Sequence, residues 1–236
     1  AASKCGKYVA ASSGNELVLW SVIEAPSVAA ILIRSPNDVV ASGNICSIVW
    51  RRSSKMLALA TDMGKLCLFR LHPPGSEDGP QSSNKLTLEP CGVLDLEGDM
   101  IRCLCSCGHV ILIGGADGAL RTVSWEGQLL EVHTPMVTDT ATGLSTTPLS
   151  IESIACDWIH REGRTFPVLL YVTGDGRIIH AGPKNHRSNA VVHGEIDLEE
   201  MENVWVLGMS DVKEVQFSGR QEMVVVVRQA LKGVIA

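Results

Sequence analysis

The segment Gly114–Leu120, which reads GGADGAL, combines three glycines with one aspartate between two apolar runs. Glycine-rich loops bind phosphate through closely approaching backbone N–H groups, and tight hairpins use glycine to reach positive φ. Phosphate-binding and dinucleotide-binding loops open a helix, whereas Gly118 is followed by the strand-like run ALRTVSW. We therefore interpret Asp117-Gly118, and Asp175-Gly176 in a similar segment, as two-residue hairpin turns.

The run CLCSCGH is the most ligand-like group in the chain, with Cys103, Cys105, Cys107 and His109 at alternate positions. Residues two apart on a strand lie about 6.6 Å from each other along one face. The ligand atoms of a tetrahedral zinc ion must lie within about 4 Å of one another. One extended strand cannot surround the ion, so we predict structural cysteines and no metal.

Enzyme motifs are missing from the rest of the sequence. It contains no Gly-x-Ser-x-Gly elbow, His-Glu-x-x-His pair or EF-hand loop, and its seven histidines are dispersed. We expect His133 and His180, at strand ends, to be half-buried structural imidazoles. The prediction is a binding module with no catalytic residue, cofactor or small-molecule substrate, although a Ser/His/Asp set assembled from distant segments stays open as an alternative.

Charge and cysteine usage restrict the class of protein. The net charge is -6 and the Lys and Arg residues are scattered, which disfavours a nucleic-acid partner. No apolar run approaches the roughly 20 residues of a membrane span, and the N-terminus lacks the pattern of a signal peptide. Together these features predict a cytoplasmic location, with a targeting segment upstream left open because the first residue is not methionine. We expect reduced, buried thiols rather than a disulfide framework at Cys5, Cys46, Cys67, Cys91, Cys103, Cys105, Cys107 and Cys156.

A repeat explains the glycines. An apolar run, a Gly/Asp/Asn turn and a second apolar run recur in KYVAASSGNELVLW, KMLALATDMGKLCLF, HVILIGGADGALRTVSW and PVLLYVTGDGRIIHA. The turns align at Asn15, Gly64, Gly118 and Gly176, roughly 50 to 60 residues apart. Further short strand candidates precede the later copies, so that each unit holds four strands, as in a propeller blade. The predicted blade aromatics are Trp20, Trp50, Phe69 and Trp125.

The repeat predicts an all-β fold, a β-propeller with four-stranded blades in an incomplete ring of about four and a half blades. A β-sandwich is the main competing fold. We predict that residues 1–236 form a single β-propeller segment. The predicted boundaries are a partial blade at 1–21, blades at about 28–71, 91–125, 128–182 and 204–236, and inserted loops at 72–90, 134–150 and 183–203.

The units resemble WD repeats, most clearly in ADGALRTVSW, although no Trp-Asp dipeptide follows the strand. The order of Trp20 before Pro26-Ser27-Val28, Trp50 before a Ser-Ser-Lys turn, and Trp125-Glu126-Gly127 resembles the N-terminal propeller of the RIC-one family. This resemblance covers most of residues 1–133. It implies a WD40-like propeller in the large subunit of a guanine-nucleotide exchange factor for a Golgi Rab GTPase.

The resemblance further implies an arrestin-like partner subunit, the Rab GTPase as a second protein partner, and at most peripheral association with the Golgi membrane. It assigns no residue a catalytic role in exchange. The alternative function is a generic WD-repeat scaffold for protein interactions in another trafficking, coat or ciliary complex.

Overall fold

The computed structural model shows an all-β protein whose described residues pair in antiparallel sheets. The described residues are 1–22, 31–33, 43–73, 86–96, 101–135, 148–161, 164–183, 191–192, 195–196, 198, 201–208, 212–217 and 224–228. All regular secondary structure within these residues is β-strand. The all-β class and the four-stranded sheets predicted from the sequence are therefore confirmed.

The first half of the chain forms two sheets. Sheet 1 has the order β1-β2-β3, with β1 (Tyr8–Ser13), β2 (Glu16–Ser21) and β3 (Ile31–Ile33). Sheet 2 has the order β4-β5-β6-β7, with β4 (Ile45–Trp50), β5 (Met56–Thr61), β6 (Lys65–His72) and β7 (Thr87–Asp95).

The second half repeats the four-stranded plan twice. Sheet 3 has the order β8-β9-β10-β11, with β8 (Ile101–Cys107), β9 (Val110–Gly115), β10 (Leu120–Ser124) and β11 (Leu129–His133). Sheet 4 begins with β12 (Ile151–Arg161), β13 (Arg164–Thr173) and β14 (Arg177–Pro183). After the short hairpin of β15 (Val191–Val192) and β16 (Glu195–Ile196), sheet 4 is completed by β17 (Met201–Gly208). Sheet 5 pairs β18 (Val212–Phe217) with β19 (Val224–Arg228).

Strand pairing groups the segments differently from the predicted boundaries. The predicted boundaries place AAILIR (29–34), CGVLDL (91–96) and QLLEVH (128–133) with the unit that follows each, but β3, β7 and β11 pair with the sheet that precedes them. Each of these strands pairs with the strand just before it in sequence, so the strand order of sheets 1 to 3 follows the chain without a crossover. Predicted loop 72–90 gives its last residues to β7, and predicted loop 183–203 contains β15, β16 and the start of β17. Residues 229–236 of the predicted last blade, and 136–147 of loop 134–150, lie outside the described residues.

The middle strands of sheets 2 to 4 bury both faces, so each of these three sheets packs between two others. In β5, Leu57 and Leu59 pack with sheet 1, whereas Met56 and Ala58 pack with sheet 3. Because successive side chains of a strand point to opposite faces, one strand can contribute to two cores. The strands β9 and β13 do the same, placing an apolar core at each of the four junctions between consecutive sheets.

β-bulges recur at both edges of the sheets. In the first strand of sheets 2 to 5 the pairing register shifts at the second residue, which is Cys46, Arg102, Glu152 or Lys213. The outer strands β7, β11 and β17 also shift register once each. A bulge bends an edge strand and re-aims its side chains, which hinders pairing with another chain.

Candidate functional site along the first strands

The first strands of sheets 2 to 5, β4, β8, β12 and β18, lie side by side in chain order. Two serines connect them: Ser47 Oγ accepts a hydrogen bond from Leu104 N at 3.0 Å, and Ser153 Oγ accepts one from Val215 N at 3.3 Å. Cys103 occupies the corresponding third position of β8, and its thiol donates a hydrogen bond to the carbonyl oxygen of Ile151 at 3.5 Å. Side chains of one sheet thus satisfy backbone groups of the next.

A cavity of about 790 Å³ runs along these four strands and the N-terminal segment. The bulged residues Cys46, Arg102 and Glu152 are part of its lining. Charges of both signs line it, and Ser150 Oγ donates a hydrogen bond to Glu152 Oε1 at 2.6 Å. Small-molecule pockets are mostly apolar with few polar groups. A cavity lined by mixed charges is better suited to water or to a polar protein segment.

A second cavity, of about 510 Å³, adjoins the first and shares Lys4, Trp50 and Cys156 with it. Its lining adds Cys5 and Arg52. The N-terminal segment is tied to the β4–β5 turn, because Cys5 N donates to Ser54 Oγ at 3.1 Å. The second cavity therefore brings cysteines from two distant parts of the chain to one place.

The expectation that all cysteines are reduced is wrong. Cys107 of β8 and Cys156 of β12 form a disulfide, with their Cα atoms 5.9 Å apart, a normal separation for such a bond. The alternation of CLCSCGH places Cys103, Cys105 and Cys107 toward sheet 4, where Cys156 meets them in one core. His109 lies in the exposed turn after β8. In the described part of the chain, no group of three or more Cys, His, Asp or Glu residues is placed to hold a metal ion.

Burial of the thiols is also uneven, contrary to prediction. Cys67 and Cys103 are buried, whereas Cys5, Cys46 and Cys91 are exposed. Although Cys46 is exposed as a residue, its thiol lies against the carbonyl oxygens of Ala60 and Ile101, and desolvation of the thiol raises its pKa to about 11. Burial raises the pKa of Cys105 to about 12. Side-chain hydrogen bonds with Ser3 and then Ser54 lower the pKa of Cys5 to about 7. Cys5 thus carries far more thiolate at neutral pH than the other two.

The predicted turn residues all lie in hairpin turns, but the two turns predicted as two-residue turns, at Asp117-Gly118 and Asp175-Gly176, are longer. Gly64, Gly118 and Gly176 each donate a backbone hydrogen bond to the residue three positions before, at 3.1, 3.2 and 2.8 Å, and each has a positive φ. This is a four-residue turn with glycine in the last place. Asp117 and Asp175 precede that glycine, and in the first copy Gly14, not Asn15, has the positive φ.

Gly118, the last glycine of GGADGAL, faces the atoms of a neighbouring protein segment and not a ligand-binding cavity. Gly118 has φ +80°, and a Cβ built there would lie 2.6 Å from Leu149 O and 2.8 Å from Pro148 Cβ. Residues 148–150 lead into β12, and Gly174 N donates to Ser150 O at 2.8 Å. The turns of sheets 3 and 4 therefore meet at the segment that connects the two sheets.

Asp117 and Asp175 stabilise their turns through arginine. The Asp117 carboxylate accepts two hydrogen bonds from the buried Arg121, at 3.1 and 2.6 Å, and one from Ala119 N. The Arg121 bonds hold the pKa of Asp117 below its ordinary value. Burial alone would raise the pKa of Asp175, but the hydrogen bond from Thr173 and the interactions with Arg177 lower it on balance. Sequence reasoning predicted these aspartates as turn formers and missed the arginines.

Three of the four predicted aromatics are buried, and each lies at a junction. Trp50 and Phe69 belong to the core of sheets 1 and 2, while Trp125 belongs to that of sheets 2 and 3. Trp50 Nε1 donates to Ala1 O at 3.2 Å, and the Arg51 guanidinium lies 5.9 Å from the Trp125 ring centroid. Trp20, at the end of β2, is half-buried.

Sequence reasoning also missed the residues that join the first strands. Ser47, Cys103 and Ser153 each occupy the third position of their strand, in β4, β8 and β12, so an alignment of these three strands contains a usable signal. A hydroxyl or thiol repeated at one position of otherwise apolar strands indicates a side chain with a backbone partner.

Among the residues that the structure describes, no helix has the length and apolar character needed to cross a membrane. Comparison with models of known protein families finds no match, and comparison with curated proteins finds none at a significant level.

Proposed function

We propose that the sheets are blades of a WD-type β-propeller and that the chain serves as a rigid scaffold for protein partners. The observation that carries the proposal is the stacking order: each middle sheet buries one face on the sheet before it and the other on the sheet after it. The first strands of the sheets lie side by side along a shared cavity. Propeller blades are arranged in this way around a central channel.

In this proposal the ring is incomplete and consists of about four and a half blades. Sheet 1 is the partial blade, sheets 2 to 4 are full blades, and β18 and β19 belong to the last one. An isolated bridge between Ala2 and Val9 places the N-terminal residues beside β1, where the innermost strand of a blade would run.

The proposed role is that of a non-catalytic subunit in a guanine-nucleotide exchange factor for a Golgi Rab GTPase, together with an arrestin-like subunit. Its support is the order of Trp20, Trp50 and Trp125 in the sequence. Exchange requires no side-chain nucleophile, because a partner surface that binds the nucleotide-free GTPase more tightly shifts the population toward that state. A rigid stack of sheets is suited to present such a surface.

Exposed apolar side chains of one strand support a scaffold for proteins in general. Leu129, Leu130 and Val132 of β11 are 42–51 % exposed and lie within five residues of one another. Exposed apolar groups that lie together are typical of interaction sites. This observation equally favours the second candidate function, a WD-repeat scaffold in another trafficking, coat or ciliary complex.

The release of mantGDP from a recombinant Golgi Rab separates the two functions. We expect the chain, assembled with the arrestin-like subunit, to accelerate release, and Val132→Asp to weaken that acceleration. Val22→Asp, at an apolar residue that is 53 % exposed and outside β7 and β11, is the matched control. No acceleration by the assembled complex contradicts the exchange-factor function. Capture of trafficking-coat subunits in its place favours the second candidate.

A further inference from the structure

Two cysteines from distant parts of the chain, Cys5 and Cys156, line the second cavity, and Cys156 is bonded to Cys107. Cys156 is partly exposed, whereas Cys107 is 1 % exposed and is not part of the lining of either cavity. A nucleophile that enters from the cavity therefore reaches the sulfur of Cys156 before that of Cys107.

The N-terminal segment holds Cys5 at the wall of the second cavity. Ser3 N donates to Tyr8 O at 2.9 Å and Gly6 N donates to Ser3 O at 3.0 Å, which forms a tight turn around Cys5. Lys4 lines both cavities, and its charge acts on the Cys105 thiol next to Cys156. The position of Cys5 is therefore set by backbone and side-chain contacts that do not involve the disulfide.

The chemical character of the thiols distinguishes Cys5 from its neighbours. Thiolate is the attacking species in disulfide exchange, and thiols with a pKa near the ambient pH attack most effectively. Cys5 has a pKa of about 7, because of side-chain hydrogen bonds with Ser3 and then Ser54. Burial raises the pKa of Cys105, which packs in the same core as Cys156, to about 12, so this thiol is almost entirely protonated at neutral pH.

We propose that Cys5 and the Cys107–Cys156 disulfide form a thiol–disulfide exchange site. The Cys5 thiolate attacks Sγ of Cys156, a Cys5–Cys156 bond forms, and the Cys107–Cys156 bond breaks. Cys107 Sγ leaves with the electron pair and takes up a proton, equivalent to the one that Cys5 released. One disulfide is lost and one is formed, so the step needs no external oxidant or reductant.

The exchange moves a covalent link within the fold. Before it, β8 of sheet 3 is joined to β12 of sheet 4, and after it the N-terminal segment is joined to β12. The junction of sheets 3 and 4 then depends on its apolar core and on the thiol of Cys103. The site is therefore a switch that exchanges a bond between sheets for a bond across the second cavity.

The first test traps the exchanged form of the native chain. The protein is equilibrated at pH 7.5 without an alkylating agent and then unfolded in urea at pH 6 with excess N-ethylmaleimide, which traps every thiol, buried or not, and peptides are mapped without reduction. We expect a fraction of molecules with alkylated Cys107 and a Cys5–Cys156 cross-link, and at least tenfold less alkylation of Cys107 in Cys5→Ser. Since Cys5 is exposed, this variant is not expected to disturb the core. Equal alkylation of Cys107 in both proteins overturns the proposal.

The second test uses Cys107→Ser, which leaves Cys156 as a thiol, with oxidised glutathione as the oxidant. The expected product contains a Cys5–Cys156 disulfide. A Cys105–Cys156 disulfide, or glutathione on Cys156 with Cys5 unlinked, overturns the proposal. If Cys107→Ser does not fold, the comparison of the native chain with Cys5→Ser decides alone.

Discussion

At the junction of sheets 2 and 3, the hydroxyl of Ser47 accepts the N–H of Leu104 at 3.0 Å, and the core around Trp125 is apolar. At the next junction the equivalent residue is Cys103, whose thiol donates to a carbonyl at 3.5 Å. Only the second of these junctions has the Cys107–Cys156 disulfide. Thiols form weak hydrogen bonds. The difference teaches that one position in a repeated strand can use serine or cysteine, and that a covalent bond reinforces the junction where cysteine replaces serine.

The largest expected effect comes from removing the disulfide. Replacing Cys107 and Cys156 together by alanine is expected to lower the free energy of unfolding by about 2–4 kcal/mol, because the unfolded chain loses a long closed loop. Urea denaturation with and without dithiothreitol measures this. The reductant should destabilise the native protein and leave the double variant unchanged. Equal stability of the two oxidised proteins would show that the bond contributes nothing to the junction.

Gly118 and Gly127 have nearly equal φ angles but different surroundings, so substitutions at these two glycines compare two junctions. A Cβ on Gly118 (φ +80°) would lie 2.6 Å from Leu149 O, whereas a Cβ on Gly127 (φ +85°) would lie 3.6 Å from Leu68 Cδ1. Both alanine variants pay for positive φ with about 1 kcal/mol, and Gly118→Ala adds steric overlap of about 1–2 kcal/mol. Gly118→Ala should unfold at a lower temperature than Gly127→Ala. Gly118→Val should lose still more stability, because the valine side chain is β-branched. Nucleotide affinity lost in a folded Gly118→Val protein would reassign the turn to ligand binding.

The serine link is expected to be worth less than the disulfide. Ser47→Ala leaves the N–H of Leu104 without its hydroxyl acceptor and should cost about 1 kcal/mol. Ser153→Ala should cost a similar amount at the junction of sheets 4 and 5, because Val215 N loses its acceptor. The exposed Ser12 provides the control variant Ser12→Ala. If chemical denaturation gives all three variants the same free energy of unfolding as the native protein, the serines do not stabilise the junctions.

The smallest effect is expected for the ion pair in the sheet 3 turn. Asp117 has a folded-state pKa below its ordinary 3.8, so its stabilisation is present above that value and is lost as the pH falls through the folded pKa. Asp117→Asn should therefore cost less than about 1 kcal/mol at pH 7, because the carboxylate is partly exposed. The difference between variant and native protein should shrink below about pH 4. A difference that stays constant from pH 7 to pH 3 would contradict the role of the charge.

The strands and hairpins could be predicted from the sequence because their apolar runs and turn residues are local signals. Membership of β11 in a sheet could not, since QLLEVH can pair with the hairpin before it or the strands after it. The Asp-Gly dipeptides of residues 117–118 and 175–176 occur in turns of more than one length, so the longer turn was missed. The pairing of Cys107 with Cys156 depends on how two separate sheets align, and no local pattern in one sequence encodes that alignment.

Counting the reactive cysteines of the native chain tests the covalent junction most directly. The protein is denatured without reductant, alkylated with iodoacetamide and weighed intact. Six of the eight cysteines should be alkylated, and mapping should place residues 107 and 156 in one cross-linked peptide. Alkylation of all eight cysteines would contradict the claim that a disulfide closes the junction of sheets 3 and 4.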